Sequence, residues 1–156
     1  VRVIGTTRTI GFWQTHTTYT SGIFTTNLGS AMLIGTSPNK IITVQQLFGA
    51  FYSNIAKKTT NQQRSATDKA RMVLLQQLVA AKLNCAAFGC DVTASATIAA
   101  GDTAYAGTNI AAMTAATSAL DFYNNSGDTI IIGNAGSATP KTSSSTADKV
   151  YWNTLP

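Results

Sequence analysis

The chain contains no glutamate. Its six acids are all aspartate, its single histidine is His16, and it has only two cysteines. Each shortage excludes chemistry. A paired-Glu mechanism has no candidates, and a multi-ligand zinc site lacks the donors. No CxxCH, P-loop, GxGxxG or HExxH motif is present. Charged residues make up 11% of the chain, against roughly 25% in an average soluble protein. No apolar run approaches the about 20 residues that a membrane-spanning helix needs, so no membrane span is expected. Gly and Pro, at 12 and 3, are too few for a collagen-like or disordered chain. Hydroxyls fill the gap: 25 Thr and 12 Ser accompany 44% apolar residues. Such a surface suits a secreted, assembled or glycosylated protein better than a cytosolic enzyme, so the expected location is extracellular or at the cell surface. At 156 residues the chain reads as a single domain.

The net charge of +5 invites a nucleic-acid reading. However, the cations are scattered from Arg2 to Lys149, and only Lys57 and Lys58 adjoin. No aromatic stacking motif interleaves them, so no nucleic-acid partner is expected. The excess reflects few acids rather than many bases. Cys85 and Cys90 are too far apart for a CxxC redox pair. In an oxidising compartment they would close a small disulfide loop across 86–89. The chain starts at Val1 without a charged and apolar leader, which for a secreted protein implies that its signal peptide is already removed.

The pattern predicts a mainly α fold with small β elements (α+β), about four helices around a central buried one. Residues 1–10 are β-branched and read as an extended N-terminal arm. Residues 11–29 show no steady period and read as loop with one short helical turn. Two apolar runs around Gly35-Thr-Ser-Pro-Asn39 predict a hairpin over 31–43 with a five-to-six-residue connection. Thr43-Val-Gln-Gln46 fits a capping box opening a helix that ends near Lys57-Lys58. Ser65 marks a second start. From 68 to 88 two adjoining apolar stripes, Met72, Leu75, Val79, Leu83 beside Leu74, Leu78, Ala81, Cys85, make this the central buried helix. Helices over about 92–106, capped by Asp91, and 110–124 follow, the last stopped by Asn124-Asn-Ser-Gly127. Residues 129–133 form a second β-branched run, 134–149 a Ser/Thr-rich linker, and Tyr151-Trp152 an aromatic tail expected to dock on something.

Four pieces stand out in order: Gly11-Phe-Trp-Gln-Thr-His16; the hairpin leading into Gln45-Gln-Leu-Phe48; Gln77-Leu-Val-Ala-Ala-Lys-Leu-Asn84; and Leu120-Asp-Phe-Tyr-Asn-Asn125. Together, over about 10–127, they resemble a domain of secreted and surface-exposed bacterial and archaeal proteins. That domain carries a Gly-aromatic-Trp-x-x-His opening, a Gln-Leu-x-Ala-Ala-Lys-Leu-Asn helix and a Tyr-Asn-Asn end. The chain departs at Gln14-Thr15 and Thr17 beside the His, and at Ser126 in place of the closing Gly. The resemblance implies location rather than an activity.

Its residues, Gly11, Trp13, His16, Lys82, Asn84, Asp121, Tyr123, Asn124 and Asn125, are expected to be structural, with an ion pair or hydrogen-bond network involving Lys82, Asn84, Asp102 and Asp121. The rival roles are a polar ligand pocket and, for His16, a metal ligand or general base. Asn124-Asn-Ser126 is a glycosylation sequon, and the Thr clusters at 15–26 and 139–146 could carry O-linked sugar. No catalytic residue, metal or cofactor is expected. The favoured function is a non-enzymatic, self-assembling subunit of an extracellular filament or surface layer, a homopolymer in which a terminal strand pairs with a neighbour. Val1, Val3 and Ile4 would supply the contacts, with Tyr151 and Trp152 as the fallback surface. The alternatives are a monomeric adhesion or sugar-binding module stacking on Phe12, Trp13 and Tyr19, and a hydrolase using His16 with Asp102 or Asp121.

Overall fold

The computed structural model describes residues 5–133, 135, 136, 138 and 144–156. It is mainly helical with one small antiparallel hairpin, as the sequence pattern predicts. The elements in chain order are α1 (Ile10–Thr15), α2 (Thr17–Gly22), a π-helical turn (Ile23–Asn27), β1 (Met32–Ile34), β2 (Ser37–Ile41), α3 (Val44–Tyr52), α4 (Ala66–Phe88), α5 (Val92–Ala106), α6 (Ile110–Ser126) and a 3-10 turn (Val150–Asn153). The hairpin registers Met32 against Ile41 and Ile34 against Ser37.

α4 is the axis of the molecule. Its 23 residues span about 35 Å, and Met72, Leu74, Leu75, Leu78, Val79, Ala81 and Leu83 are fully buried. α6, α5, α3 and α1 all pack against it. The caps fall where the sequence places them: Ser65 Oγ accepts the Asp68 N–H at 3.1 Å, Asp91 Oδ1 the Ala94 N–H at 2.8 Å, and Thr43 Oγ1 the Gln46 N–H at 3.0 Å. The Gln46 side chain reaches back one residue beyond the expected box, accepting from Ile42 N at 2.9 Å. Asn109, not foreseen as a cap, opens α6.

Several expectations are corrected. Residues 10–27 are helical rather than loop. Trp13, Phe24 and Thr20 turn inward from these short segments, and packing of the aromatics supplies what local periodicity does not. The hairpin connection is two residues, 35 and 36, with Gly35 at φ 67°. α3 stops at Tyr52, five residues before Lys57, because Ser53 turns extended at ψ 144°. Residues 129–133 form no strand, and Ile131 is 93% exposed. Among the described residues this run reaches no sheet edge, and a β-branched run without one gains no ladder.

The N-terminal reading is also corrected where it can be seen. Residues 6–8 are buried against their own chain. Thr7 N–H donates to Gly127 O at 3.3 Å, Thr7 Oγ1 donates to Asn124 O at 2.8 Å, and Gly127 N–H donates back to Thr7 Oγ1 at 2.9 Å. Gly127 is required here: a Cβ would sit 1.7 Å from Gly5 O. Arg8 locks the junction, donating to Thr7 O at 2.7 Å and to the Ile130 carbonyl. Val1, Val3 and Ile4 lie outside the described residues.

The aromatic tail docks on its own chain. Trp152 is fully buried. Its Nε1 donates to Gln46 O at 2.9 Å, and buried Arg64 donates to its carbonyl at 2.6 Å. Tyr151 bonds to Lys40 O, and the Lys40 ammonium lies 5.0 Å from the Tyr151 ring and 5.5 Å from that of Trp152. Gly49 permits the approach, since a Cβ there would stand 2.1 Å from Asp148 O. Trp152 is therefore core, unavailable as a surface between copies.

Candidate functional site

Three of the residues that carried the resemblance, Trp13, Asn84 and Asn124, meet at the Asn84 side chain. Asn84 is wholly buried on α4. Its Oδ1 accepts the Arg8 N–H at 2.7 Å and the Trp13 Nε1–H at 3.1 Å; its Nδ2 donates to Arg8 O and Asn124 Oδ1, each at 2.9 Å. All four hydrogen-bonding positions of the amide are filled. Asn124 in turn donates to Gln77 O at 3.0 Å and Gln77 Oε1 at 2.8 Å. At the rim, Asp121 Oδ1 accepts from Gln77 Nε2 and Asn125 Nδ2, both at 3.0 Å. The N-terminal segment, α1, α4 and α6 are stitched by neutral amides whose polar atoms answer one another. Asn124 is fully buried and its amide engaged, so the sequon offers no accessible acceptor for sugar in the folded chain.

Trp13 sits beneath this network without exposure. Phe12 meets it edge-on at 5.2 Å, and Tyr19 stacks on it at 5.8 Å. His16 stacks on Phe12 at 4.0 Å, and its Nδ1 lies 3.0 Å from the Phe12 carbonyl oxygen. The ring thereby tightens the joint between α1 and α2. No hydrogen bond among the described residues joins it to Asp102 or Asp121. Gly11 has no steric reason to be glycine: a Cβ would come no nearer than 3.9 Å to a neighbour.

Lys82 and Asp102 form the expected ion pair, with Nζ at 2.9 and 2.8 Å from the two carboxylate oxygens. The ammonium also donates to Leu33 O, and Asp102 accepts the Gly35 N–H at 2.8 Å. The pair thus pins the hairpin to α4 and α5. Burial draws the Lys82 pKa below its ordinary value, with the Asp102 hydrogen bond and charge opposing that shift. Tyr123 Oη lies 3.6 Å from Cys85 Sγ, and burial pushes its phenol up to about 12, with the Asp91 charge adding to the rise. Cys85 is disulfide-bonded to Cys90, with Cα atoms 4.9 Å apart, joining the end of α4 to the cap of α5.

Three buried arginines escaped the sequence reading: Arg8, Arg64 and Arg71. Arg71 donates to Tyr105 O at 2.9 Å and to the Gly107 carbonyl, closing the end of α5, and pairs with Asp68. Each works on loop carbonyls, and such partners leave no periodic trace. Among the described residues no group of His, Cys and acidic side chains could hold a metal ion, and no helix is long and apolar enough to cross a membrane.

Charge divides along the chain. Between Lys82 and Lys141 there is no Lys or Arg, while Asp91, Asp102, Asp121 and Asp128 all fall there. This stretch contains α5 and α6, between which runs a groove of about 820 Å³. Ala96, Ala100 and Ala104 line it from one helix, and Ala112, Ala115 and Ala119 from the other. Exposed Val92 and Phe122 lie on the same helices. The cations lie on the rest of the chain. This segregation was readable in the sequence as a gap in Lys and Arg; treating the cations as merely scattered missed it. No family model matches the chain, and no significant match to a curated protein or a solved structure was found.

Proposed function

We propose that the protein is a non-enzymatic, extracellular structural subunit that assembles with copies of itself into a filament or layer. The observation that carries this reading is the uncharged groove between α5 and α6, on a stretch of chain without Lys or Arg. An alanine-lined cleft lets another backbone approach closely and requires no charge to be desolvated. Its occupant is a second copy. Exposed Asp91, Asp121 and Asp128 flank this half, and the other half of the same molecule supplies the complementary cations. Two-fold pairing of α5/α6 on itself would bring like charges together, whereas head-to-tail docking brings opposite ones together. Head-to-tail contacts that do not close into a ring propagate as open polymers.

The remaining observations agree. The described part of the N-terminal segment packs on its own chain, so association runs through side-chain surfaces rather than through a strand at residues 5–9. The disulfide suits an oxidising compartment, as does the resemblance to secreted and surface domains. Trp13 presents no face for sugar stacking, and His16 holds a helix joint rather than a reacting group. The test is negative-stain microscopy of the purified chain beside Ala115→Arg, which places a cation in the groove without touching the core. Fibres or sheets from the native chain, and their loss in the variant, are expected. Native chain that stays dispersed at high concentration, or a variant that polymerises equally, would overturn the proposal.

A further inference from the structure

A second pocket, of about 270 Å³, opens between the end of α3, the loop at 57–64 and the start of the terminal 3-10 turn. Lys57, Lys58, Arg64 and Lys149 all line it, together with Ser53 and Thr59. Four of the eleven cations thus meet in one small cavity. None of them is ion-paired: among the described residues, which include every Asp, the ion pairs are Arg71–Asp68 and Lys82–Asp102. The nearby acids form no ion pair with these cations, although the Asp68 charge is felt by Arg64. Asp68 is paired with Arg71, and Asp148 Oδ1 accepts the Tyr151 N–H at 3.1 Å.

The pocket is built rather than incidental. Arg64 is only 4% exposed; its Nε and Nη1 donate to Asn54 O at 3.1 Å and Trp152 O at 2.6 Å. Ser53 is 6% exposed, and its Oγ has no hydrogen-bond partner. A buried hydroxyl without a partner is costly and calls for an explanation. The loop carrying the lysines is rigidly tied. Lys58 N–H donates to Gln62 O at 2.9 Å, Arg64 N–H to Ala56 O at 2.8 Å, and Thr59 N–H to Asn153 Oδ1 at 2.9 Å. Asn54 Oδ1 takes the Lys57 N–H at 2.8 Å.

We propose that this pocket binds a tetrahedral oxyanion, a phosphate or sulfate group. Three ammonium groups and a guanidinium exceed what one carboxylate could neutralise, whereas a dianion offers more charge and more acceptors in one compact group. The cavity is at the small end of ligand sites and has room for a compact oxyanion. The group could be free or borne by an anionic surface polymer. The inference is independent of self-assembly.

The test is calorimetric titration of the full disulfide-bonded chain with inorganic phosphate, inorganic sulfate and acetate at matched ionic strength. Saturable binding of phosphate and sulfate, with none of acetate, is expected. Lys58→Gln/Lys149→Gln should weaken it by about tenfold or more, while Lys69→Gln, outside the pocket on α4, should leave it unchanged. Glycerol 1-phosphate, a phosphate monoester, then separates the sources: binding at least as tight as that of inorganic phosphate assigns a polymer-borne group, and binding of inorganic phosphate alone a free ion. Absence of saturable heat, equal affinity for acetate, or undiminished binding in the double variant would overturn the proposal. So would loss of assembly in the double variant together with no anion binding by the native chain, because the pocket would then be a contact between copies.

Discussion

Asn84 accepts two hydrogen bonds and donates two from a wholly buried position. Truncating it leaves the Trp13 Nε1–H, both backbone groups of Arg8 and the Asn124 carbonyl oxygen to find other partners inside the core. Each stranded buried group costs about 1–3 kcal/mol, and the costs do not simply add. Asn84→Ala is therefore expected to destabilise by about 3–5 kcal/mol. By the usual conversion for a chain of this length, about 2–4 °C per kcal/mol, the melting temperature falls by about 10 °C. Asn84→Asp fares no better, because it substitutes a buried charge and removes the donor to Arg8 O. A melting shift under about 2 °C for Asn84→Ala would mean that the network is not a principal fastening. The same logic places His16: its ring stacks on Phe12 and touches that residue's carbonyl oxygen, so its replacement should be felt in stability.

At the scale of elements, the disulfide joins α4 to α5 across a sequence separation of five. For so short a loop the chain-entropy estimate is about 2 kcal/mol. Cys85→Ser/Cys90→Ser should thus melt about 4–8 °C lower while keeping its helical circular dichroism. An unchanged melting temperature would show that Asp91 capping and Tyr123 packing suffice alone. These elements also show what the sequence makes legible. α4 announces itself through two adjoining apolar stripes, and Ser65, Thr43 and Asp91 mark helix starts by side-chain chemistry that acts within three residues. A network was expected of Lys82, Asn84, Asp102 and Asp121, but Asn84 instead meets Trp13, Arg8 and Asn124, partners brought together only by the tertiary fold. α1 and α2 were missed because six-residue helices are marginal alone and rest on Trp13 and Phe24 reaching the core. That the Tyr151-Trp152 tail docks was expected from its aromatics, but its partner Gln46 lies more than a hundred residues away and leaves no local signal. The arginine clamps and the Lys57–Lys149 pocket were invisible for the same reason.

At the scale of the whole molecule, the account turns on how charge is distributed. The chain exposes 7442 Å², close to the about 7,500 Å² expected of a compact monomer of its mass. The described core closes on its own chain, so the proposed association would join surfaces already folded. If the uncharged, alanine-lined groove on the Lys/Arg-free stretch docks the cation-bearing part of a second copy, as proposed, the contact is head-to-tail and growth should not stop at two. Sedimentation velocity on the intact, oxidised chain from micromolar to millimolar concentration measures this directly. The account predicts a distribution that moves continuously to species larger than a dimer as concentration rises, and that collapses to monomer in Ala115→Arg. A single boundary at 16.3 kDa throughout, or a plateau at a dimer, would contradict it.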